Sequence, residues 1–234
     1  MTFLSKSNVI INNTEKESRA KNMNDRLASE QLMKKAGRLP QGQSLTLRFP
    51  ILHYGAVPGF DKDNWTFRIF GQVEEETSLT WEEFCALPQT EVTMDIHCVT
   101  AWSKTDTRWR GVNLKTLVSA GVAKIKKNAT VVVQHCEQDY STNLPIQTVM
   151  RDNFLLATHY DGAPLDPVHG YPLRGVCGAI PGRKDLDDVY LWKGGKWLRG
   201  LEFLSEDKPG FWEKAGYHNR GNVWQEERFI DTHQ

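Results

Sequence analysis

Residues 92–103 read VTMDIHCVTAWS, a strand pattern that ends at a cysteine. Val92, Met94 and Ile96 alternate with polar residues, and this alternation predicts a strand with one buried face. The strand leads into Cys98, which is followed by small and aromatic residues. A cysteine at the end of a strand is well placed to present its sulfur to a cavity. The stretch therefore predicts a strand whose end carries a candidate site.

The segments on either side of this stretch predict more short strands and short helices. Strand patterns occupy residues 65–71, 131–134 and 197–204. Helices are predicted at 114–121 and after a capping box at 80–83. Because these elements interleave without a regular rhythm of strand and crossover helix, we expect an α+β fold, a single irregular mixed α/β domain that is mostly β with short helices. No glycine-rich phosphate loop opens a helix, which disfavours nicotinamide and nucleotide-triphosphate chemistry.

The composition excludes several classes of partner. The 234 residues carry 29 basic and 29 acidic side chains, whereas a protein that binds nucleic acid or an anionic membrane normally needs a basic excess. No apolar run approaches the roughly 20 residues of a membrane-spanning helix. The start of the chain, residues 1–11, carries Lys6 within its apolar stretch and lacks a small-residue cleavage site. We therefore expect a soluble, cytoplasmic protein with no membrane span and no nucleic-acid partner.

The first 38 residues differ in composition from the remainder. Residues 12–19 are too polar to bury, which predicts a mobile tail. Residues 27–35 fit one short amphipathic helix that ends at Gly37. We therefore expect a polar N-terminal tail over residues 1–38 and one domain over residues 39–234.

Three interpretations of Cys98 are compatible with the sequence. It is a buried core residue, a nucleophile activated by a base, or a thiolate ligand of a metal. His97 is a poor base for it, because neighbours on a strand point to opposite faces. A base would have to come from elsewhere, and the other candidates are His135, His169 and His218. Residue patterns alone select none of them.

The sequence around Cys98 resembles the cysteine motif of a known enzyme family. Residues 97–103 (HCVTAWS) and 108–112 (RWRGV) are similar to the motif of the sulfite oxidase superfamily of molybdenum–molybdopterin oxidoreductases. The similarity is closest to the single-domain, haem-free bacterial members, which also resemble the catalytic subunit of that superfamily's methionine sulfoxide reductase. Further segments that resemble the family are residues 49–55, 71–88, 139–145, 161–165, 169–174, 193–198 and 209–213. The resemblance covers residues 39–231 and implies the sulfite oxidase type of molybdopterin-binding fold.

The resemblance implies a molybdenum–molybdopterin cofactor with Cys98 as the metal's protein ligand. A soft thiolate suits such a metal, and metal binding deprotonates the thiol. The pterin ends in a phosphate, so guanidinium, ammonium and backbone N–H donors are expected around it. By matching position, the expected cofactor-binding residues are His53, Tyr54, Cys98, His135, His169, Arg174, Gly194, Gly195 and Lys196. Either Gln134 or His135 falls near one of these contacts.

The resemblance also implies a reaction, two-electron oxygen-atom transfer on a small sulfur oxyanion or a sulfoxide-type substrate. The expected catalytic residues are Cys98, Trp102 and Arg108. Arg108, together with Lys104 and Arg110, is a candidate for steering an anionic substrate toward the site. Without a haem of its own, the chain needs a separate electron-transfer partner.

One segment departs from the family pattern. Residues 175–188, between Arg174 and Lys193, are longer by several residues than in the family, and Gly194 stands where a serine is common. This insertion is interpreted as a lid, a partner loop or a surface extension. If it closes the pterin pocket, the chain is a non-catalytic scaffold or binding protein, which is the main alternative. A cysteine hydrolase that uses Cys98 as its nucleophile is the third interpretation.

Overall fold

Two β-sheets form most of the structure, a computed structural model that describes residues 13–230. The strands are β1 (Ser44–Leu45), β2 (Thr66–Gly71), β3 (Thr77–Thr80), β4 (Thr90–His97), β5 (Trp102–Val112), β6 (Val131–Cys136), β7 (Ser141–Pro145), β8 (Phe154–Tyr160), β9 (Ala163–Pro164), β10 (Arg174–Cys177) and β11 (Leu198–Leu204). The helices are α1 (Asn13–Lys35), α2 (Trp81–Ala86), α3 (Leu114–Ser119), α4 (Ile146–Val149) and α5 (Phe211–Lys214). Short helices and strands interleave irregularly, which confirms the predicted α+β class.

The first sheet is built around the long strand β5. This strand pairs with β4 and β8 in antiparallel fashion and with β1 in parallel, while β8 also pairs with β9 and β10. The second sheet has the order β3-β2-β11-β6-β7, in which only β2 and β11 run parallel. A β-bridge between Arg174 and Lys196 links β10 of the first sheet to the segment that leads into β11 of the second. The two sheets therefore meet where the predicted cofactor site lies.

The buried side chains form two hydrophobic clusters. The larger one contains Phe67 and Ile69 from β2 and Leu201 and Phe203 from β11, all fully buried. Arg68 is exposed between its two buried neighbours, so the alternation predicted for β2 is confirmed. The smaller cluster lies on β4, β5, β8 and β10 of the first sheet. Burial of these apolar surfaces supplies the main favourable term in folding.

The predicted helix starts are confirmed by their caps. Thr80 accepts a hydrogen bond from the Glu83 amide, and the Glu83 carboxylate accepts one from the Thr80 amide, which is the reciprocal pair of a capping box. Asn113 caps α3 by accepting from the Thr116 amide at 2.8 Å. Gly121 follows α3 with a φ of 74°, the left-handed conformation that glycine favours after a helix.

The N-terminal helix is longer than the sequence predicts. The pattern favours a short helix within residues 27–35, whereas α1 begins at Asn13 and spans 23 residues. Glutamate, lysine and arginine have high helix propensity, so a polar helix can continue without burial. Glu30 fixes α1 to β1 by accepting a hydrogen bond from the Leu45 amide at 3.0 Å. Residues 1–12 lie outside the described structure, and the expected mobile tail and domain boundary stay predictions.

A helix that crosses a membrane needs about 20 predominantly apolar residues. Within residues 13–230 no helix, α1 included, combines the length and the apolar composition needed to cross a membrane.

The insertion is only partly a surface extension. Its first residues continue β10, which is buried along its length, and Ala179 pairs with Asp95 of β4 through two backbone hydrogen bonds. Residues 181–185 are exposed, whereas Asp188 is buried again. The segment is therefore anchored at both ends, and only its middle forms a surface loop.

Candidate active site

A cavity of about 400 Å³ opens beside the turn between β4 and β5. The turn supplies Cys98, Val99 and Thr100 to its wall, and segments 49–54 and 191–197 supply much of the remainder. The other lining residues are Trp102, Tyr140, Arg174, Trp212 and Tyr217. A cavity of this volume suits a cofactor-sized ligand.

The β4–β5 turn holds Cys98 by backbone hydrogen bonds. The Cys98 amide donates to the Trp102 carbonyl at 2.8 Å, and the Ala101 amide donates to the Cys98 carbonyl at 3.1 Å. Ala101 adopts a φ of 69°, a left-handed conformation typical of tight hairpin turns. Cys98 is 7% exposed, and its sulfur lies 3.2 Å from the Thr100 hydroxyl. The turn therefore presents a thiol, with a hydroxyl beside it, to the cavity.

Two cationic side chains lie at the cavity without an acidic partner. Arg174 is buried and donates to backbone carbonyls, among them that of His169 at 3.0 Å. The Lys196 ammonium donates to two further backbone carbonyls, at 2.7 and 2.8 Å. Within residues 13–230 neither group forms an ion pair with an aspartate or a glutamate. Because a buried charge is costly unless it is paired, the arrangement favours an anionic ligand.

Burial lowers the pKa of both cations and of the neighbouring His169 imidazole. Desolvation, reinforced by the Arg174 charge, lowers the pKa of Lys196 to about 7. Desolvation also lowers the pKa of Arg174 to about 10. The pKa of the His169 imidazole falls to about 4 through burial and repulsion from both cations. An anion bound here would oppose these shifts, because it favours the charged forms.

The wall beside the cations is made of closely packed backbone. A Cβ atom on Gly194 would lie 2.4 Å from the Gly175 carbonyl oxygen, so only glycine fits at this position. Gln134, buried on β6, supports the segment from behind. Its side chain accepts from the Gly195 amide at 3.0 Å and donates to the Lys193 carbonyl at 2.7 Å. The wall is thereby held in a single arrangement.

The structure brings most of the predicted site residues together. Those that line the cavity are His53, Tyr54, Cys98, Trp102, Arg174, Gly194 and Lys196. His169 lies beside the lining residue Phe49, with parallel rings whose centroids are 4.0 Å apart. Gly195 contributes to the support of the wall through Gln134. Clustering of residues so far apart in sequence agrees with one site, while their individual roles stay predictions.

Two predicted site residues lie away from the cavity. His135 is half-buried on β6, and its Nε2 lies 2.8 Å from the Glu202 carboxylate. Side chains alternate along a strand, so its neighbour Gln134 faces the cavity wall instead. Arg108 is exposed on β5 with its guanidinium 3.9 Å from Asp161. The other two candidates for substrate steering, Lys104 and Arg110, do not line the cavity either.

Sequence analysis missed the aromatic walls of the cavity. The additional aromatic lining residues are Phe49, Tyr140, Trp192, Trp197, Trp212 and Tyr217. Aromatic residues in a single sequence are most simply interpreted as core, so residue patterns do not distinguish a cavity wall. The available signal was the family resemblance, because four of the six lie in segments that carry it, residues 49–55, 139–145, 193–198 and 209–213.

The histidines considered as bases for Cys98 have other neighbours. His135 faces Glu202, His169 stacks on an aromatic ring, and His218 Nδ1 lies 3.3 Å from a glutamate carboxylate. None of the three lines the cavity that Cys98 faces. The geometry therefore gives the cysteine hydrolase interpretation no support.

One known protein family matches more than half of the chain. Residues 54–212 match the oxidoreductase molybdopterin binding domain. The chain belongs to this family. It is accordingly a molybdopterin-dependent oxidoreductase of the sulfite oxidase type, and its cofactor is molybdenum–molybdopterin.

Several individual proteins of known sequence or structure are similar to this chain. An uncharacterized oxidoreductase, YuiH, of Bacillus subtilis (strain 168) is 42% identical over 195 residues, which cover 83% of this chain and 93% of that protein. Mitochondrial sulfite oxidase of Rattus norvegicus is 24% identical over 188 residues, 69% of this chain and 33% of the relative. The structure of the sulfane dehydrogenase SoxCD from Paracoccus pantotrophus matches with a TM-score of 0.57 at 20% identity, over 74% of this chain and 47% of that one. The structural match confirms the predicted fold type.

The residues present fit the family's cofactor. Cys98 offers the soft sulfur ligand that molybdenum requires, and its sulfur reaches the cavity. Arg174 and Lys196 offer cationic donors that no carboxylate of the described part of the chain neutralises, which suits a terminal phosphate. Gly194 lets the backbone form a close wall at the same place.

Inorganic pyrophosphate is expected to raise the melting temperature of the cofactor-free protein by a few °C at pH 6.5 and by less at pH 9. In the fold, burial lowers the pKa of Lys196 to about 7 from its ordinary value of 10.5. Between pH 7 and pH 10.5 the unfolded chain binds more protons than the folded protein. The destabilisation caused by burying the charged Lys196 is therefore complete below pH 7 and disappears as the pH rises toward 10.5. A bound anion offsets the penalty only while Lys196 is charged. Thermal unfolding measures the effect.

The matched variants for this experiment are Lys196→Met and Lys115→Met. The first removes the cavity ammonium, so the pH dependence of the pyrophosphate effect is expected to vanish. The second removes a lysine that is exposed and paired with Asp152, so the effect is expected to persist. An equal shift at both pH values in the wild type would contradict the assignment of Lys196 as an anion-binding group.

Proposed function

We propose that the enzyme either adds an oxygen atom to a small sulfur oxyanion such as sulfite and removes two electrons from it, or removes an oxygen atom from a sulfoxide and supplies two electrons to it. In the oxidising direction, sulfite and water give sulfate, two protons and two electrons. In the reducing direction, a sulfoxide, two protons and two electrons give a thioether and water. The molybdenum cofactor supplies the two-electron redox centre when it is bound. The similarity to a sulfite oxidase supports a sulfur substrate.

The position of Cys98 carries the proposal. Its sulfur lies on the wall of a cofactor-sized cavity, at a turn fixed by two backbone hydrogen bonds. The same cavity holds Arg174 and Lys196, which have no acidic partner among residues 13–230. A soft ligand and a cationic phosphate site in one cavity are what a metal with a phosphorylated pterin requires.

The remaining side chains of the cavity bind and orient rather than react. Arg174 is held against Trp109, with its guanidinium carbon 5.5 Å from the ring centroid, so the cation stays in place without a carboxylate. Trp192, Trp212 and Tyr217 form an aromatic wall of the cavity, and a ligand packed against such a wall loses contact with water. Desolvation of this kind strengthens the electrostatic attraction between the two cations and a bound anion.

The insertion does not close the cavity. None of residues 175–188 is among its lining residues, and the anchored ends of the segment pack on β4 and β8 instead. This observation argues against the scaffold alternative, which required the insertion to alter the pocket.

The proposal is tested by assaying molybdenum-loaded protein in both directions. Sulfite oxidation is followed with an artificial electron acceptor, and reduction of a dialkyl sulfoxide is followed with a reduced dye. We expect turnover in one direction to exceed that of the cofactor-free protein. Loaded protein that turns over neither class of substrate would contradict the proposed substrate range.

A separate electron-transfer protein, acting in the cytoplasm, completes the proposal. Two electrons enter or leave in each turnover, and the resemblance is to members that carry no haem. Affinity capture with the loaded, tagged protein from its own cell extract, followed by reduction of the captured protein with sulfite, tests this part. Capture of no redox protein would contradict it.

Thr100→Val is expected to make the reduction potential of the bound metal more negative by about 60 mV, which is a tenfold change in the ratio of oxidised to reduced centre for one electron. The Thr100 hydroxyl lies 3.2 Å from the Cys98 sulfur. When that sulfur is a thiolate ligand, the hydroxyl donates to it and reduces its electron donation to the metal. A redox titration followed by electron paramagnetic resonance measures the potential. Thr100→Ser keeps the hydroxyl and serves as control, and an unchanged potential in Thr100→Val would contradict the assignment.

A further inference from the structure

A buried chain of polar side chains runs beneath the turn that carries Cys98. His97 Nδ1 lies 2.7 Å from Ser103 Oγ, which donates to Gln43 Oε1 at 3.3 Å. Gln43 Nε2 donates in turn to the Cys98 carbonyl at 3.1 Å. On the other side of the imidazole, His97 Nε2 lies 3.4 Å from the Asp188 carboxylate, an ion-pair distance without a hydrogen bond. Hydrogen bonds therefore link His97, Ser103 and Gln43 to the backbone of Cys98, and Asp188 adds a carboxylate beside the imidazole.

This chain is not a hydrolytic triad, although a serine, a histidine and an aspartate adjoin one another. His97 and Ser103 are 0% exposed, and Gln43 and Asp188 are 4% exposed. None of them lines the cavity, so no substrate reaches the Ser103 hydroxyl. Burying polar groups is costly unless they are hydrogen-bonded, and a bonded network fixes one arrangement of the segments that it joins. The network therefore acts by fixing the positions of the segments that it joins, not by reacting with a substrate.

The network joins three distant segments to one hairpin. His97 and Ser103 form the last paired position of β4 and β5 before the turn. Gln43 precedes β1, which pairs with the start of β5. Asp188 lies at the end of the insertion and accepts a hydrogen bond from the Trp224 indole at 2.8 Å. The N-terminal segment, the insertion and the C-terminal segment all brace the same turn.

The Cys98 carbonyl is the point where the network meets the site. It accepts from two donors, the Ala101 amide within the turn and the Gln43 side chain from outside it, both at 3.1 Å. Two donors restrain the peptide plane that follows Cys98, and this restrains the direction of its Cα–Cβ bond. Metal–ligand distances tolerate deviations of only about 0.2 Å, so a ligand on a turn needs such support.

We propose that Asp188, His97, Ser103 and Gln43 are positioning residues that fix the Cys98 turn so that its thiolate points at the metal. The inference rests on the proposed function, because it takes Cys98 as the metal ligand. It gives the insertion a specific role, since the buried end of residues 175–188 braces the ligand turn instead of covering the cavity.

Asp188→Asn and Gln43→Met test the proposal in the molybdenum-loaded protein. Gln43→Met removes the hydrogen bond to the Cys98 carbonyl, Asp188→Asn removes the negative charge beside His97, and both keep the side-chain volume similar. Asp185→Asn is the matched control, because Asp185 lies on the exposed part of the same insertion and pairs with Arg183. We expect both test variants to lose molybdenum about tenfold faster on dialysis and to show an altered electron paramagnetic resonance spectrum of the one-electron-reduced metal. The control is expected to do neither.

Hydrogen exchange in the cofactor-free protein supplies a readout that does not depend on the metal. The amides of residues 99–102 are expected to exchange about tenfold faster in both test variants and at the wild-type rate in Asp185→Asn. A lower melting temperature with unchanged exchange and an unchanged spectrum would show a merely structural network and overturn the proposal. A wild-type chain that binds no molybdenum would instead overturn the proposed function, while the exchange rates still decide whether the network fixes the turn.

Discussion

Cys98→Ser is expected to lower kcat/KM of the loaded enzyme by at least about 100-fold, because loss of an outer-shell partner alone costs 10–100-fold in metal affinity or activity. A serine hydroxyl is a harder and less acidic donor than a thiol, so it does not replace a thiolate on molybdenum. The substitution changes one atom at the cavity wall and leaves the backbone hydrogen bonds of the turn in place. The expected signature is loss of sulfur-to-metal charge-transfer absorption together with activity.

The chain offers a matched control for this substitution. Cys85 is exposed on α2 and does not line the cavity, so Cys85→Ser is expected to keep the spectrum and the activity of the wild type. A Cys98→Ser protein that retains molybdenum, its absorption and its activity would show that the metal has another ligand.

Lys193→Met is expected to lower the free energy of unfolding by about 3–5 kcal/mol, because it leaves the Glu213 carboxylate buried without its partner. The Lys193 ammonium is fully buried and lies 2.6 Å from Glu213 Oε1. It also donates to Asn143 Oδ1 at 2.8 Å and to the Asn219 carbonyl at 2.7 Å. Burial lowers the pKa of Lys193, and the adjacent Glu213 carboxylate opposes that shift. Urea unfolding of the cofactor-free protein measures the loss.

Two further variants distinguish the loss of stability caused by breaking the buried ion pair from any loss caused by removing a lysine. The double variant Lys193→Met/Glu213→Leu removes both charges and is expected to recover much of the stability, because a buried pair contributes little beyond an apolar pair of similar volume. Lys62→Met breaks an exposed pair with Glu82 and is expected to leave the unfolding midpoint near that of the wild type. Equal destabilisation by Lys193→Met and the double variant would contradict this account.

Local patterns predicted the elements that present the site. The alternation of Val92, Met94 and Ile96 predicted a strand that ends at Cys98, and the structure shows the turn there. The capping box at Thr80 was equally visible, because both of its partners lie within three residues. Such features depend on neighbours along the chain, so one sequence contains the information needed to predict them.

Contacts between distant segments explain what the sequence did not predict. Lys193 looks like a solvated lysine until β7 and α5 bring Asn143 and Glu213 to it. The assignment of Gln134 or His135 to the cavity wall depended on the face of β6, which the pairing with β11 decides. A resemblance carries over positions but not the face of a strand.

Molybdenum per chain, measured by elemental analysis on protein from a host that makes the cofactor, tests the central claim most directly. The account predicts close to one molybdenum per wild-type chain and a much lower content in Cys98→Ser. A folded wild-type protein without molybdenum, from a host that loads other molybdenum enzymes, would contradict the claim that this cavity holds the cofactor.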